Sequence, residues 1–242
     1  MYNKFLIILL ISIIIIIFYN IHQNYSNNTT ILNTPNYYIS PSLNSYKGEV
    51  LYENPKIIYL HNFITQEEAS FFMKYGDRYK KPSTIDTKDG GPVTLASSVR
   101  SSESAHLTKH SNIFVENVEN KAANYFNANL SQLEPLQVVV YEKGQKYIPH
   151  HDFFDPNTPD VQVRGNRSKT ILVYLNDVPE EAGGATFFPK INLKVQPKAF
   201  DAIYFENINN GELDYNTLHS GEPLLGDVKK YAINIWVREK DF

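Results

Sequence analysis

Tyr147-Ile148-Pro149-His150-His151-Asp152 is the stretch from which the rest of the chain is read. It follows residues 136–141, an apolar run with the character of a strand. In an extended segment, residues i and i+2 point to one face. His150 and Asp152 then share a face, and His151 points away. An imidazole and a carboxylate so placed need one more ligand, from a distant strand, to form a two-histidine, one-carboxylate triad. Such a triad grips non-haem Fe(II) on one side and leaves the other side open. His219 lies in Leu218-His219-Ser220-Gly221-Glu222-Pro223, at a turn ahead of the last apolar run, and is the candidate for that ligand.

Outward from this stretch, the chain after Pro135 alternates short apolar segments with turn signals. Strands are predicted at 136–141, 170–175, 185–188, 193–195, 202–205 and 231–237. Lys143-Gly144, Asn176-Asp177, Ala182-Gly183-Gly184 and Asn209-Asn210-Gly211 separate them. This texture predicts a sandwich or jelly roll. Upstream, residues 57–60 read as a strand. Thr65-Gln66-Glu67-Glu68 has the capping-box form, so a helix is predicted through Tyr79, with Ala69, Phe72 and Met73 facing the core. A second helix is predicted over 112–127, burying Ile113, Val118, Ala122 and either Tyr125 or Phe126. Between the helices, residues 81–97 are rich in Pro, Gly, Thr and Ser and read as a long mobile loop in the position of a lid. The fold class is α+β, mainly β: a jelly-roll core with helices packed on one side.

Composition bounds the rest. The chain has 242 residues, 42% hydrophobic and 13% aromatic, ample for a core in one or two domains. A net charge of -3 gives no sign of a nucleic-acid partner. The absence of cysteine excludes disulfides, zinc-thiolate sites and cysteine nucleophiles. Residues 5–19, FLIILLISIIIIIFY, are short for a full span of about 20 residues but show no polar face. With Lys4 ahead of them, residues 1–20 are predicted to be an uncleaved signal anchor, its amino end cytosolic. The remainder is then lumenal, of endoplasmic-reticulum type, or extracellular. Residues 21–48 read as a linker and 49–242 as the globular domain, helical over 49–134 and jelly roll over 135–240. N-glycosylation acceptor patterns occur at Asn24, Asn27, Asn28, Asn129 and Asn166.

Several stretches together resemble the prolyl 4-hydroxylase family of Fe(II)- and 2-oxoglutarate-dependent dioxygenases. Gln137-Val138-Val139-Val140-Tyr141, Gly144-Gln145-Lys146-Tyr147 and Pro149-His150-His151-Asp152-Phe153-Phe154 are similar to the family's first metal-binding stretch in order and spacing. Asn166-Arg167 with the segment from Thr170 to Val178 is similar to the next strand, and Gly183-Gly184-Ala185-Thr186-Phe187-Phe188-Pro189 to the turn and strand after it. His219-Ser220-Gly221-Glu222-Pro223 resembles the distal histidine motif, and Arg100-Ser101-Ser102 the element leading out of the mobile loop. The similarity covers nearly all of residues 55–238 and is to the short single-domain form found in plants, algae, protists and large DNA viruses.

That resemblance implies that His150, Asp152 and His219 hold Fe(II). It implies that Lys230 binds the C5 carboxylate of 2-oxoglutarate, with Tyr141 and Thr170 donating hydrogen bonds to it. Arg100, Arg167 and Trp236 are implied as contacts to a peptide substrate or to the loop over it. L-ascorbate is implied as a further cofactor, and a proline-containing or collagen-like protein as partner. Lys229 matches the family's usual interval from the distal histidine, whereas Lys230 matches its spacing to the tryptophan, so both remain candidates. Phe200-Asp201 departs from the family's Gly-Asp, which puts the turn before residue 202 in question. The implied activity is prolyl 4-hydroxylation, releasing succinate and CO2. The alternatives are the same chemistry on lysyl residues or a small molecule, or a non-catalytic binding module on a membrane stalk.

Overall fold

The computed structural model describes residues 48–85 and 98–242. The predicted anchor over 1–20, nearly all of the linker, and residues 86–97 of the predicted lid lie outside the described residues. Two strands open the domain, β1 (Gly48–Tyr52) and β2 (Ile57–Leu60). Helix α1 (Gln66–Tyr79) begins where the sequence places it. The Thr65 hydroxyl accepts from the Glu68 amide while the Glu68 carboxylate accepts from the Thr65 amide. Strands β3 (Lys81–Pro82) and β4 (Glu103–His106) flank the loop. Helix α2 (Ile113–Phe126) is capped by the Asn112 side chain, which accepts from the amides of Phe114 and Val115.

The remaining strands run β5 (Gln137–Tyr141), β6 (Tyr147–His150), β7 (Arg167–Tyr174), β8 (Thr186–Phe188), β9 (Leu193–Val195), β10 (Ala202–Glu206), β11 (Ile208–Asn209), β12 (Glu212–Leu213), β13 (His219–Gly221) and β14 (Lys230–Arg238). Helix α3 (Pro159–Arg164) lies between β6 and β7. Eight strands form a major sheet in the order β1-β2-β10-β7-β14-β5-β4-β3, and four form a minor sheet in the order β6-β13-β8-β9. All pairings within these two sheets are antiparallel. Two such facing sheets are the jelly roll that the strand spacing predicts.

Strand alternation divides the major sheet into two working faces. Val138 and Val140 of β5, Ile171 and Val173 of β7, and Ile233 and Ile235 of β14 form one buried cluster with the helices. Ala69 and Phe72 supply the contact from α1, and Val115, Val118, Ala122 and Phe126 supply it from α2. Each large side chain so buried contributes on the order of 1.5–3 kcal/mol. The alternate residues, Gln137, Val139 and Tyr141 of β5 with Lys230, Ala232, Asn234 and Trp236 of β14, face inward and line a cavity. Burying one face under helices thus fixes which side chains reach the site.

Some local expectations fail for identifiable reasons. Ile113 is 47% exposed, because it is the first residue of α2 and lies off the stripe through Val115, Val118, Ala122 and Phe126. Met73 does face the core as predicted, packing against it while partly exposed. Phe200 keeps the turn in question by adopting a left-handed backbone, φ 73°, which a glycine would take without strain. The following carboxylate, Asp201, accepts from the Tyr59 hydroxyl and the Asn62 amide. Asn166 is buried, its amide donating to the Phe154 carbonyl and accepting from the Phe154 amide, so this sequon offers no accessible glycan acceptor. Among the described residues, no helix is long and apolar enough to cross a membrane.

Candidate active site

The site lies between the two sheets. In the minor sheet, β13 pairs with β6 so that His219 stands directly opposite His150. Their ring centroids are 4.3 Å apart. Asp152 follows the end of β6, so the strand-alternation argument holds for His150 and only by continuation for Asp152. The Asp152 Oδ1 lies 3.9 Å from His150 Nε2 and 3.8 Å from His219 Nε2. One donor atom from each of the three residues falls within 4.8 Å of the others.

The hydrogen bonds around this cluster prepare it for a cation. His150 Nδ1 sits 2.9 Å from the Ile148 carbonyl oxygen, and His219 Nδ1 sits 2.9 Å from the Thr217 carbonyl oxygen. A carbonyl only accepts, so each Nδ1 carries a proton, and a neutral ring then presents its Nε2 lone pair to the centre. Burial, then the neighbouring His219, holds the His150 pKa well below its usual value, which keeps that ring neutral. Burial pushes the Asp152 pKa up, but the His219 and His150 rings, Arg167 and the Thr170 hydroxyl outweigh it, and the carboxyl stays below its usual range. Two imidazole nitrogens and one carboxylate oxygen fit a divalent iron and leave positions open. His151 is not one of the three: its Nε2 lies 3.1 Å from the Tyr215 carbonyl oxygen and its ring stacks on Phe153.

The cavity has a volume of about 680 Å3 and runs from this cluster to Lys230. Lys230 is 3% exposed, and its Nζ donates to the Gly184 carbonyl at 2.7 Å. Burial pushes its pKa down to about 7, against a smaller opposite pull from Glu222. Lys229 points the other way, to Asp77 at 3.1 Å and Glu142 at 3.3 Å on the surface. Of the two candidate lysines, only Lys230 lines the cavity. Tyr141, its partner across the β5–β14 ladder, also lines it, and burial raises the phenol pKa so that the hydroxyl keeps its proton.

Thr170 takes a different position from the one the resemblance implies. It stands opposite Trp236 in the β7–β14 ladder, six residues and about 20 Å of strand from Lys230. Its one proton goes to Asp152 Oδ2 at 2.7 Å. One carboxylate cannot be held by both Thr170 and Lys230. Thr186, by contrast, is buried, lines the cavity, and lies 3.0 Å from the Tyr174 hydroxyl. The Lys230 Nζ lies 5.8 Å from the Tyr174 ring centroid.

Arg100, Arg167 and Trp236 all line the cavity. The Arg167 guanidinium stacks 3.7 Å over Trp236 and is forked onto the Glu134 carboxylate at 2.8 and 2.7 Å. Arg100 bonds Ser102 and Gln137 and lies 4.8 Å from the Tyr147 ring centroid. Tyr147 in turn stacks on His150, centroids 3.5 Å apart. Thr186 and Tyr147 stood inside motifs that the sequence displays. Glu134 and Asn207 carry no local signal, since their partners come from other strands.

An antiparallel jelly roll with two facing histidines and one carboxylate, opening on a cavity that ends at a buried lysine, has the architecture of a non-haem iron oxygenase. The profile of the 2OG-Fe(II) oxygenase superfamily matches residues 136–238. The probable prolyl 4-hydroxylase 8 of Arabidopsis thaliana is 33% identical over 215 residues, covering 80% of this chain and 72% of that protein. The prolyl 4-hydroxylase subunit alpha-1 of Rattus norvegicus is 31% identical over 210 residues, or 85% of this chain but only 38% of the subunit's own length. Among solved structures, the 2OG complex of the viral collagen prolyl hydroxylase from Paramecium Bursaria Chlorella virus-1 shares the fold. Its TM-score is 0.59 at 23% identity, over 75% of this chain and 95% of that one. The chain belongs to the prolyl 4-hydroxylase family of 2OG-Fe(II) oxygenases.

Proposed function

We propose that this protein is a prolyl 4-hydroxylase, adding a hydroxyl group to proline residues of a proline-rich or collagen-like protein. The observation that carries the reading is the single cavity joining the His150, Asp152 and His219 cluster to the buried amine of Lys230. A cation at one end and an ammonium at the other match a keto-acid dianion. His150, Asp152 and His219 would hold Fe(II) through two Nε2 atoms and one carboxylate oxygen. Lys230, Tyr141 and Thr186 would bind the distal carboxylate of 2-oxoglutarate, the ammonium as counter-charge and the two hydroxyls as donors. When bound, the iron supplies oxygen activation, in which 2-oxoglutarate loses CO2 to become succinate and one oxygen atom is left for the substrate's C–H bond.

The protein's own residues bind, orient and exclude water. Val139, Leu172 and Ala232 give the cavity apolar wall. Arg167, held flat on Trp236, and Arg100, beside Tyr147, present cationic and aromatic surface to a peptide backbone and a proline ring. L-Ascorbate belongs in the assay as the reductant that keeps iron ferrous. Residues 1–20 would anchor the protein with its catalytic domain lumenal or extracellular, a reading tested by protease protection of the full chain in microsomes.

The test is mass spectrometry of proline-rich and collagen-like peptides after incubation with the protein, Fe(II), 2-oxoglutarate and ascorbate, with succinate measured in parallel. Hydroxyproline formation with peptide-stimulated succinate release is the expected result. Turnover on lysyl peptides or a small molecule, with no hydroxyproline, overturns the substrate and keeps the chemistry. Absence of both iron binding and turnover leaves a binding module. His219→Ala is expected to abolish turnover and His151→Ala to leave most of it, because only the first removes a member of the cluster.

A further inference from the structure

Asp152 can meet a cation through one oxygen or through both, and the choice decides how many positions stay open for reactants. Its two oxygens have different surroundings. Oδ1 faces His150 and His219, whereas Oδ2 accepts from the Thr170 hydroxyl at 2.7 Å. Behind Thr170 stands Asn207, whose side-chain amide lies 2.9 Å from the Thr170 oxygen. A carboxylate only accepts, so the single Thr170 proton must go to Asp152. The Thr170 oxygen is then left to accept, and Asn207 must turn its NH2 group toward it. The network itself fixes the amide's orientation.

Asn207 is wholly buried, and its Oδ1 has no hydrogen-bond partner among the described residues. Its backbone is held where β10 gives way to the β11–β12 hairpin: the amide donates to Ser168 at 2.8 Å, and the carbonyl accepts from Asp214 at 2.9 Å. An orphaned buried acceptor costs stability, and an apolar side chain of similar size would avoid that cost. Its side-chain amide donates to the Thr170 oxygen. A side chain that burdens the core in this way, with its one bond aimed at a residue holding Asp152, acts on the site rather than on the core.

We propose that Asn207 is a positioning residue: through Thr170 it keeps Asp152 Oδ2 engaged, so that only Oδ1 is offered to the metal. The inference rests on the iron-binding reading above. It assigns to Asn207 and Thr170 the task of holding Asp152 in single-oxygen ligation, which preserves the open positions that 2-oxoglutarate and oxygen require. Removing either residue leaves the carboxylate without the outer partner that orients it, so the ligand must be ordered as the metal binds and affinity falls.

The experiment measures anaerobic Fe(II) and Mn(II) binding to the purified protein by calorimetry, with apo-protein thermal unfolding alongside. Asn207→Leu and Asn207→Ala are expected to weaken metal binding by about 10–100-fold, the usual scale for a lost outer partner of a ligand. Thr170→Val should give a similar loss, and Thr170→Val combined with Asn207→Ala no more than either alone. A merely structural role would move the unfolding temperature, leave the metal dissociation constant of the folded protein unchanged, and add to the effect of Thr170→Val. Wild-type metal affinity in an Asn207 variant that folds, or additivity in the pair, overturns the inference. Should the leucine variant not fold, the smaller alanine variant carries the same test. Failure of the unaltered protein to bind metal would overturn the iron reading and this one with it, whereas normal binding by all variants overturns this one alone.

Discussion

At the scale of single residues, two adjacent lysines have opposite fates because neighbouring residues of a strand face opposite ways. Lys230 is buried in the cavity and Lys229 lies on the surface between Asp77 and Glu142. Lys230→Ala is expected to raise the 2-oxoglutarate requirement by roughly 30-fold or more, since losing a buried charge partner costs about 2–5 kcal/mol. Lys229→Ala should change it by less than about twofold, as exposed ion pairs contribute little. Steady-state assays at varied 2-oxoglutarate separate the two, and a reversed order would place the wrong lysine inside. A pH effect follows from the same burial. Burial pushes the Lys230 amine down to about 7, and a carboxylate bound beside it would raise it again. Between about 7 and that higher value, binding takes up one proton, so affinity falls as pH rises, by up to about tenfold per unit. Glu222 is the charged group acting on the free amine, and its pull is already included in that value. Calorimetry in buffers of different ionisation enthalpy measures the uptake; constant affinity from pH 7 to 9 would contradict it.

At the scale of elements, the site depends on how closely α1 approaches the major sheet. Gly76 lies within α1, where glycine weakens a helix. A Cβ there would stand 2.8 Å from Val138 Cγ1 and 3.3 Å from Val140 Cγ2. Those valines are β5 residues whose neighbours Val139 and Tyr141 line the cavity. Gly76→Ala is expected to destabilise the protein by about 1–3 kcal/mol, the overpacking cost outweighing the gain in helix propensity. Urea unfolding measures it, and a stabilised variant would mean that helix and sheet have room to separate. A similar close approach acts at Gly184, whose carbonyl receives Lys230. Its φ is +70°, and a Cβ there would stand 2.8 Å from Leu224 Cδ1.

At the scale of the whole domain, one carboxylate joins the Arg167 side of the cavity to Arg238 and helix α3. Glu134 receives both Arg167 and Arg238, and Arg238 continues to Asp160 of α3 at 2.7 Å and to the Gly165 carbonyl at 2.8 Å. Despite burial, the two guanidinium groups hold the Glu134 pKa below its usual value. Glu134→Leu removes the carboxylate shared by the buried Arg238 and the half-buried Arg167. It is expected to cost about 3–5 kcal/mol in stability and to weaken peptide binding, since Arg167 loses its anchor over Trp236. Chemical denaturation and peptide KM test this together. Unchanged stability would show that the arginines find other partners.

The chain's own order of residues determined the jelly-roll texture, the capping box at Thr65, and the identity of the His150, Asp152 and His219 cluster. These are carried by local periodicity, by backbone capping chemistry, and by two short motifs, one around His150 and Asp152 and one around His219. Prediction of α2 was sound in extent but misjudged Ile113, since an end residue of a helix need not follow its buried stripe. Tertiary structure alone decided which of Lys229 and Lys230 lines the cavity, set Thr170 against Asp152 and Thr186 in the cavity wall, and brought Asn207 behind Thr170. Each of these outcomes depends on which strands become neighbours and in what register. A one-residue shift turns every side chain to the other face, and partners such as Asn207 and Thr170 are far apart in the chain. Short-range chemistry could therefore be read from the sequence, whereas the arrangement around each ligand arises only when the two sheets close on one another.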